Sequence, residues 1–117
     1  MSAYAKNFAD IPAYSDPESR NQLCRDILPK GLVEDLLIGY DRIEGPGNNG
    51  TGRHLDFHQV FVVVKGRGVL QRGGERIELE APCIAHIPPN TAHDVFVAAG
   101  EQIEYVYVNK YFRTPPA

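Results

Sequence analysis

From Gln59 to Val108 the chain is broken every few residues by a turn signal, and this constrains its fold more than any other feature. Gln59 to Val64 is apolar at nearly every position, which suits a strand covered on two sides, by a core and by a partner surface. Gly66-Arg67-Gly68 permits a kink, and Val69-Leu70-Gln71 continues the strand. Gly73-Gly74 predicts a two-residue hairpin of type I′, because glycine accepts the positive φ that turn demands. Arg76-Ile77-Glu78-Leu79 alternates polar and apolar, as a half-buried return strand does. Ala81-Pro82 then turns the chain into Cys83 to Ile87, which Pro88 ends. His93 to Val97 is the next strand, and Ile103 to Val108 follows after Ala99-Gly100-Glu101. Short strands at close, regular spacing specify an all-β sandwich or barrel.

The chain before this stretch is less regular. Met1 to Tyr14 is polar and mixed, and reads as an arm over the domain or over a partner subunit. Ser15-Asp16-Pro17-Glu18 has the form of a helix start: Asp16 can cap, Pro17 suits the first helical position, and Glu18 favours the positive end of the dipole. Leu23, Cys24, Ile27 and Leu28 recur at helical spacing, and Pro29 with Gly31 stops the run. The expectation is an arm and short helix over residues 1–31, packed outside a barrel over residues 32–112. Leu36 to Ile43 is one strand or two. Gly45 to Gly52 is a loop by composition. It lacks the Lys and Ser/Thr of a phosphate-binding loop, and no helix pattern follows it.

At 117 residues the chain forms one domain, 1–117, large enough for a single core. Its formal net charge of -3 and twelve scattered basic residues offer no patch for nucleic acid. No stretch is apolar for long enough to span a bilayer, and there is no signal-like apolar region at the N-terminus. Cys24 and Cys83 make no disulfide framework, so free thiols and a cytoplasmic setting are expected.

Three of the four histidines lie at the ends of the segment Arg53 to His93. It opens with Arg53-His54-Leu55-Asp56-Phe57-His58-Gln59 and closes with Ile87-Pro88-Pro89-Asn90-Thr91-Ala92-His93. Strands folding back as a barrel bring those ends together. Here the residues resemble the cupins, small barrels of the jelly-roll or double-stranded β-helix type. Their first motif reads Gly, five residues, His-x-His, three or four residues, Glu, six residues, Gly. Gln59 stands at the Glu position, and Gly66 follows six residues later. Their second motif ends in Pro-x-Gly-x-x-His, which Pro88-Pro89-Asn90-Thr91-Ala92-His93 matches with Asn90 for Gly. Asn is the residue that best tolerates the left-handed region in glycine's place. The resemblance covers roughly Gly47 to Val97.

The first motif is incomplete in either register. With three residues before Gln59, the His-x-His pair falls on Arg53 and Leu55; with four, it falls on Gly52 and His54. A cupin metal typically takes three imidazoles and a carboxylate, whereas Gln59 offers only a neutral carbonyl oxygen. The resemblance therefore implies a thin site for a divalent ion (iron, nickel, manganese or zinc) on His54, Gln59 and His93, with His58 the weaker candidate, or no metal at all.

His93 is read as a pocket-facing ligand or acid–base group, because the motif around it is intact. For His54 both this and a structural reading stay open. His58 is read as a hydrogen-bonded surface histidine, pointing outward if Gln59 faces the lumen, and His86 as a satisfied core or interface residue. Tyr40, Arg42, Tyr105 and Tyr107 are candidates for substrate contact from their strands, although strand aromatics more often serve the core. Asp56 either orients an imidazole or caps a turn.

Three functions follow as expectations. The first is a metal-dependent enzyme of dioxygenase, isomerase or lyase type acting on a small organic molecule. The second is a metal-free enzyme in which His54 and His93 exchange protons with substrate. The third is a non-catalytic binding module, since Asp56 to Phe61 also resembles the effector-binding domains of arabinose-regulator-type transcription factors. Fold alone does not choose among them. The apolar strand and the N-terminal arm further suggest a homodimer.

Overall fold

The computed structural model describes residues 4–112. Seven strands follow a single 3-10 turn at Phe8–Asp10: β1 Arg20–Val33, β2 Leu36–Asn48, β3 Phe57–Arg72, β4 Glu75–Glu80, β5 Cys83–Ile87, β6 His93–Val97 and β7 Gln102–Tyr111. All pairings between them are antiparallel.

The sixteen-residue β3 is the spine. Its first part pairs with β5 on one edge and β7 on the other; its last part pairs with β4 and β6. The handover occurs at Gly66, after a bulge between Val63 and Lys65. Gly66 sits at φ +77°, and a Cβ there would lie 1.8 Å from the Gln102 carbonyl oxygen. Only glycine allows both the turn of the backbone and the close approach of β7. Ile43, Phe61, Val63, Leu70, Val95, Ile103 and Tyr105 are almost wholly buried and fill the barrel. Each such side chain contributes roughly 2 kcal/mol of apolar burial.

The two-residue hairpin forms, with Arg72 opposite Glu75. Only Gly73 takes a positive φ, however, so the turn follows the II′ pattern rather than I′. Asn90 stands at φ +59°, in the left-handed region that its position requires. Val62, Val64 and Ile84 on the outer face of β3 and β5 are exposed in the single chain, Ile84 by 71%. Both cysteines are free thiols. No helix among the described residues is long and apolar enough to cross a membrane.

Two further expectations are corrected. The helix after Asp16 does not form. Asp16 caps a turn instead: its Oδ1 accepts from the Glu18 N–H at 2.9 Å and its carbonyl from the Ser19 N–H at 3.0 Å. The chain then enters β1, where Gln22 and Cys24 are buried on one face. A register shift between Asp26 and Leu28 breaks the strand period there. Over so few residues, the displaced apolar positions satisfy a helical spacing equally well. The second correction concerns Gly45 to Gly52. Gly47 and Asn48 pair with Val97 and Phe96, so the strand β2 runs to Asn48 and only the remainder is loop.

Candidate functional site

Strand register sets the interior rows of the barrel. Gln59 lies opposite Asn109, Phe61 opposite Tyr107, and Val63 opposite Tyr105. The rows continue onto β2 and β1, with Tyr107 opposite Gly39 and Tyr105 opposite Asp41, which faces Cys24. Since alternate residues share a face, these side chains converge. A cavity of about 260 Å³ opens among them. That is below the roughly 300–1,000 Å³ of pockets for drug-sized ligands. Gly39 is needed for its shape, because a Cβ there would lie 2.0 Å from Cζ of Tyr107.

One wall is built by the motif residues. His93 opens β6 and is buried; its Nδ1 lies 2.9 Å from the Thr91 carbonyl oxygen. A carbonyl only accepts, so Nδ1 donates to it, and in the neutral ring Nε2 is the acceptor. Gly52 and His93 exchange both backbone hydrogen bonds at 2.9 Å, which locks the loop to the strand. His54 follows from that loop, with ring centroids 5.0 Å from His93 and 4.5 Å from Phe57. Burial, and then the nearby His93, hold the His54 pKa below the usual histidine value, and Asp56 partly opposes them. Gln59 is buried; its Nε2 donates to Asn109 Oδ1 at 2.9 Å, while its Oε1 has no partner.

Gly52 and His54 line the cavity, while Arg53 and Leu55 are exposed. The four-residue register therefore describes the geometry, with a glycine where a histidine would stand. His58 points outward as expected, its Nδ1 2.9 Å from Nε2 of His86. His86 is exposed on the barrel surface in this single chain, not in the core. Tyr107 lines the cavity, and Tyr105 lies beneath it in the core. Tyr40 and Arg42 lie on the other face of β2: Tyr40 bonds to Glu104, and Arg42 approaches Glu44 at 3.9 Å.

Three further lining residues, Gln22 and Cys24 on β1 and Asp41 on β2, were not anticipated. Burial raises the Asp41 carboxyl from its ordinary 3.8 to about 6, against the opposing hydrogen bonds of Tyr105, Cys24 and Gln22. Burial likewise pushes the Cys24 thiol and the Tyr107 hydroxyl up, so both stay protonated. A signal for Asp41 was present, because it shares strand parity with the core residue Ile43. Gln22 and Cys24 were hidden by the helical reading of β1.

The Cupin domain family model matches residues 44–109, more than half of the chain. The protein belongs to the cupin family. Among cupin-like folds of known structure, the polyketide cyclase RemF from Streptomyces resistomycificus superposes with a TM-score of 0.83 at 15% identity, over 97% of this chain and 83% of that one. A predicted oxalate decarboxylase from Thermotoga maritima gives 0.82 at 13%, over 93% and 100%. A cupin-2 domain from Rhodospirillum rubrum gives 0.77 at 18%, over 100% and 80%. At these identities the likeness is one of fold. No curated protein matches the chain by sequence.

Members of this family often carry a metal, and the motif wall can be tested for it. Among the described residues, no three His, Cys, Asp or Glu side chains gather as a metal cluster. The donors present are two imidazoles and the unpartnered amide oxygen of Gln59. Such a neutral set would hold a divalent ion less tightly than one with a carboxylate.

Proposed function

We propose that this cupin is an enzyme acting on a small organic molecule, with a divalent ion held by His54, Gln59 and His93. The observation that carries the reading is Gln59 Oε1, a buried oxygen without a partner on a residue that lines the same cavity as the two imidazoles. The bound ion would supply Lewis-acid polarisation of a substrate oxygen. Around it, Thr91 fixes the tautomer of His93 and Asn109 fixes the rotamer of Gln59. Two structural neighbours carry enzyme names, a cyclase and a predicted decarboxylase, so the same barrel can carry such chemistry.

The test is metal content of untagged protein by plasma mass spectrometry, after reconstitution, with His93→Ala beside it. Near-stoichiometric iron, nickel, manganese or zinc, lost in the variant, is expected. A second arm uses Gly52→His with Gln59→Glu. A Cβ at Gly52 would meet only His54, at 3.7 Å, so the added side chain has room. The double variant should bind zinc about a hundredfold more tightly, roughly 2.7 kcal/mol. No metal in the parent would sink the metal reading. The neutral donor set favours a second reading for that case: His93, which lines the cavity, takes and returns a substrate proton through Nε2. We also infer a homodimer through Val62, Val64 and Ile84, an apolar face that a second copy would cover. A monomer mass by light scattering at micromolar concentration would remove that inference.

A further inference from the structure

The described residues contain three buried side-chain atoms with no hydrogen-bond partner: Gln22 Oε1, Asp41 Oδ1 and Gln59 Oε1. All three are acceptors, and all three side chains line the one cavity. Their residues are 8%, 5% and 7% exposed, so solvent does not reach them freely. Buried polar atoms are almost always paired in native proteins, and an unpaired set around one cavity marks a place for donors from outside the chain. Gln59 is claimed by the proposed ion. Gln22 on β1 and Asp41 on β2 are not.

The charges agree with this. Asp16, Glu18 and Asp41 contribute carboxyl groups to the lining, and no Lys or Arg lines the cavity among the described residues. An anion entering would meet carboxylates with no counter-charge. Segment Tyr14 to Glu18 closes this side over β1, held by the paired backbone bonds of Tyr14 and Cys24 at 2.9 and 2.7 Å. Tyr107 and Tyr14 bond to each other, and Tyr14 donates onward to Asp26 at 2.7 Å. These hydroxyls are committed to one another, and the Gln22 side chain also hydrogen-bonds the Asp41 carboxyl, which leaves Gln22 Oε1 and Asp41 Oδ1 as open acceptors.

We propose that Gln22 and Asp41 form a substrate-recognition subsite that accepts hydrogen bonds from hydroxyl or amino groups of a neutral or cationic small molecule and rejects carboxylates and phosphates. It rests on the reading of this cavity as a substrate pocket, and not on the metal. In this arrangement the ligand's donor end seats between β1 and β2, and the rest of the molecule extends toward His54 and His93. Gln22 and Asp41 thereby set both the class of substrate and its orientation.

Four single-ring probes test the assignment: catechol, benzylamine, benzoate and phenyl phosphate. Each is titrated into the full chain by isothermal calorimetry, with and without EDTA, so that any contribution from an ion separates. Catechol and benzylamine should bind about tenfold more tightly than the two anions in EDTA. Asp41→Asn and, independently, Gln22→Leu should each weaken catechol and benzylamine about tenfold while leaving metal content unchanged. Near-UV circular dichroism confirms that each variant keeps its packing. Equal or tighter binding of the anions in EDTA overturns the proposal. So do undiminished catechol binding in both variants, silence of catechol and benzylamine at millimolar concentration, and joint loss of probe binding and metal. Loss of metal from the parent alone, with probe selectivity intact, sinks the ion and leaves the subsite standing.

Discussion

Asp94 and Asp41 are both buried carboxylates of the same barrel, 3% and 5% exposed, yet their surroundings are opposite. Asp94 on β6 accepts from Asn48 Nδ2 at 3.0 Å, from the Gly50 N–H at 3.1 Å and from Thr51 Oγ1 at 3.1 Å. It fastens the glycine- and asparagine-rich loop, and Asn49 completes the joint by accepting from the Val95 N–H at 2.9 Å. Asp41 has hydrogen bonds from Tyr105, Cys24 and Gln22, but its Oδ1 has no partner and the residue lines the cavity. A fully paired buried carboxylate holds structure together. One with an oxygen left unpaired, at a cost in stability, is the pattern of a group retained for a ligand.

The largest expected effect breaks the structural member. Asp94→Ala leaves three donors of the loop without their acceptor and should cost about 4 kcal/mol in urea unfolding. Because Gly52 anchors the same loop to His93, proton exchange at the Gly52 amide should speed up as well. A loss under about 1 kcal/mol would show that water replaces the carboxylate there.

The next effect has the opposite sign. The folded pKa of Asp41, about 6, lies above its ordinary 3.8, so between those values the native state holds a proton that the unfolded chain has released. Its contribution is complete below pH 4 and is lost as pH rises through about 6, a cost of about 3 kcal/mol above that window. Asp41→Asn should therefore stabilise the protein by about 2 kcal/mol at pH 7.5 and flatten this part of the pH–stability curve. Thermal unfolding from pH 4 to 8 reads both, and a destabilised variant at pH 7.5 would remove the distinction from Asp94.

The smallest effect sharpens the contrast. Tyr105→Phe removes one of the donors that holds the Asp41 carboxylate charged. It should cost about 1 kcal/mol and move the loss of stability to higher pH. A carboxyl resonance of Asp41 titrating above 6 in the variant, followed by carbon-13 NMR, is the check. No movement would mean that burial alone sets its protonation.

Much of the fold was legible because its signals are local. β5 and β6 fall on the residues that the turn-bounded apolar runs marked, and Gly66 and Asn90 occupy the backbone conformations their motif positions imply. β1 was not legible. A capping Asp before a proline opens a turn as readily as a helix, and a bulge near Ile27 disguised the strand period. Pairing with β2, a contact outside the local window, decided the matter. The site divides in the same way. His93, Gln59 and His54 announce themselves through motif spacing, whereas Gln22 and Asp41 lie 19 positions apart in sequence and meet only across β1 and β2.

The sequence by itself determined the all-β cupin barrel and the wall built on His93, since alternation, turn residues and motif spacing act over a few neighbours along the chain. Tertiary structure alone decided which register of the first motif reaches the cavity, which face of β2 turns inward, and which buried acceptors stay unpaired. Those depend on strand register across the sheet, and a shift of one residue would exchange every inward side chain for an outward one.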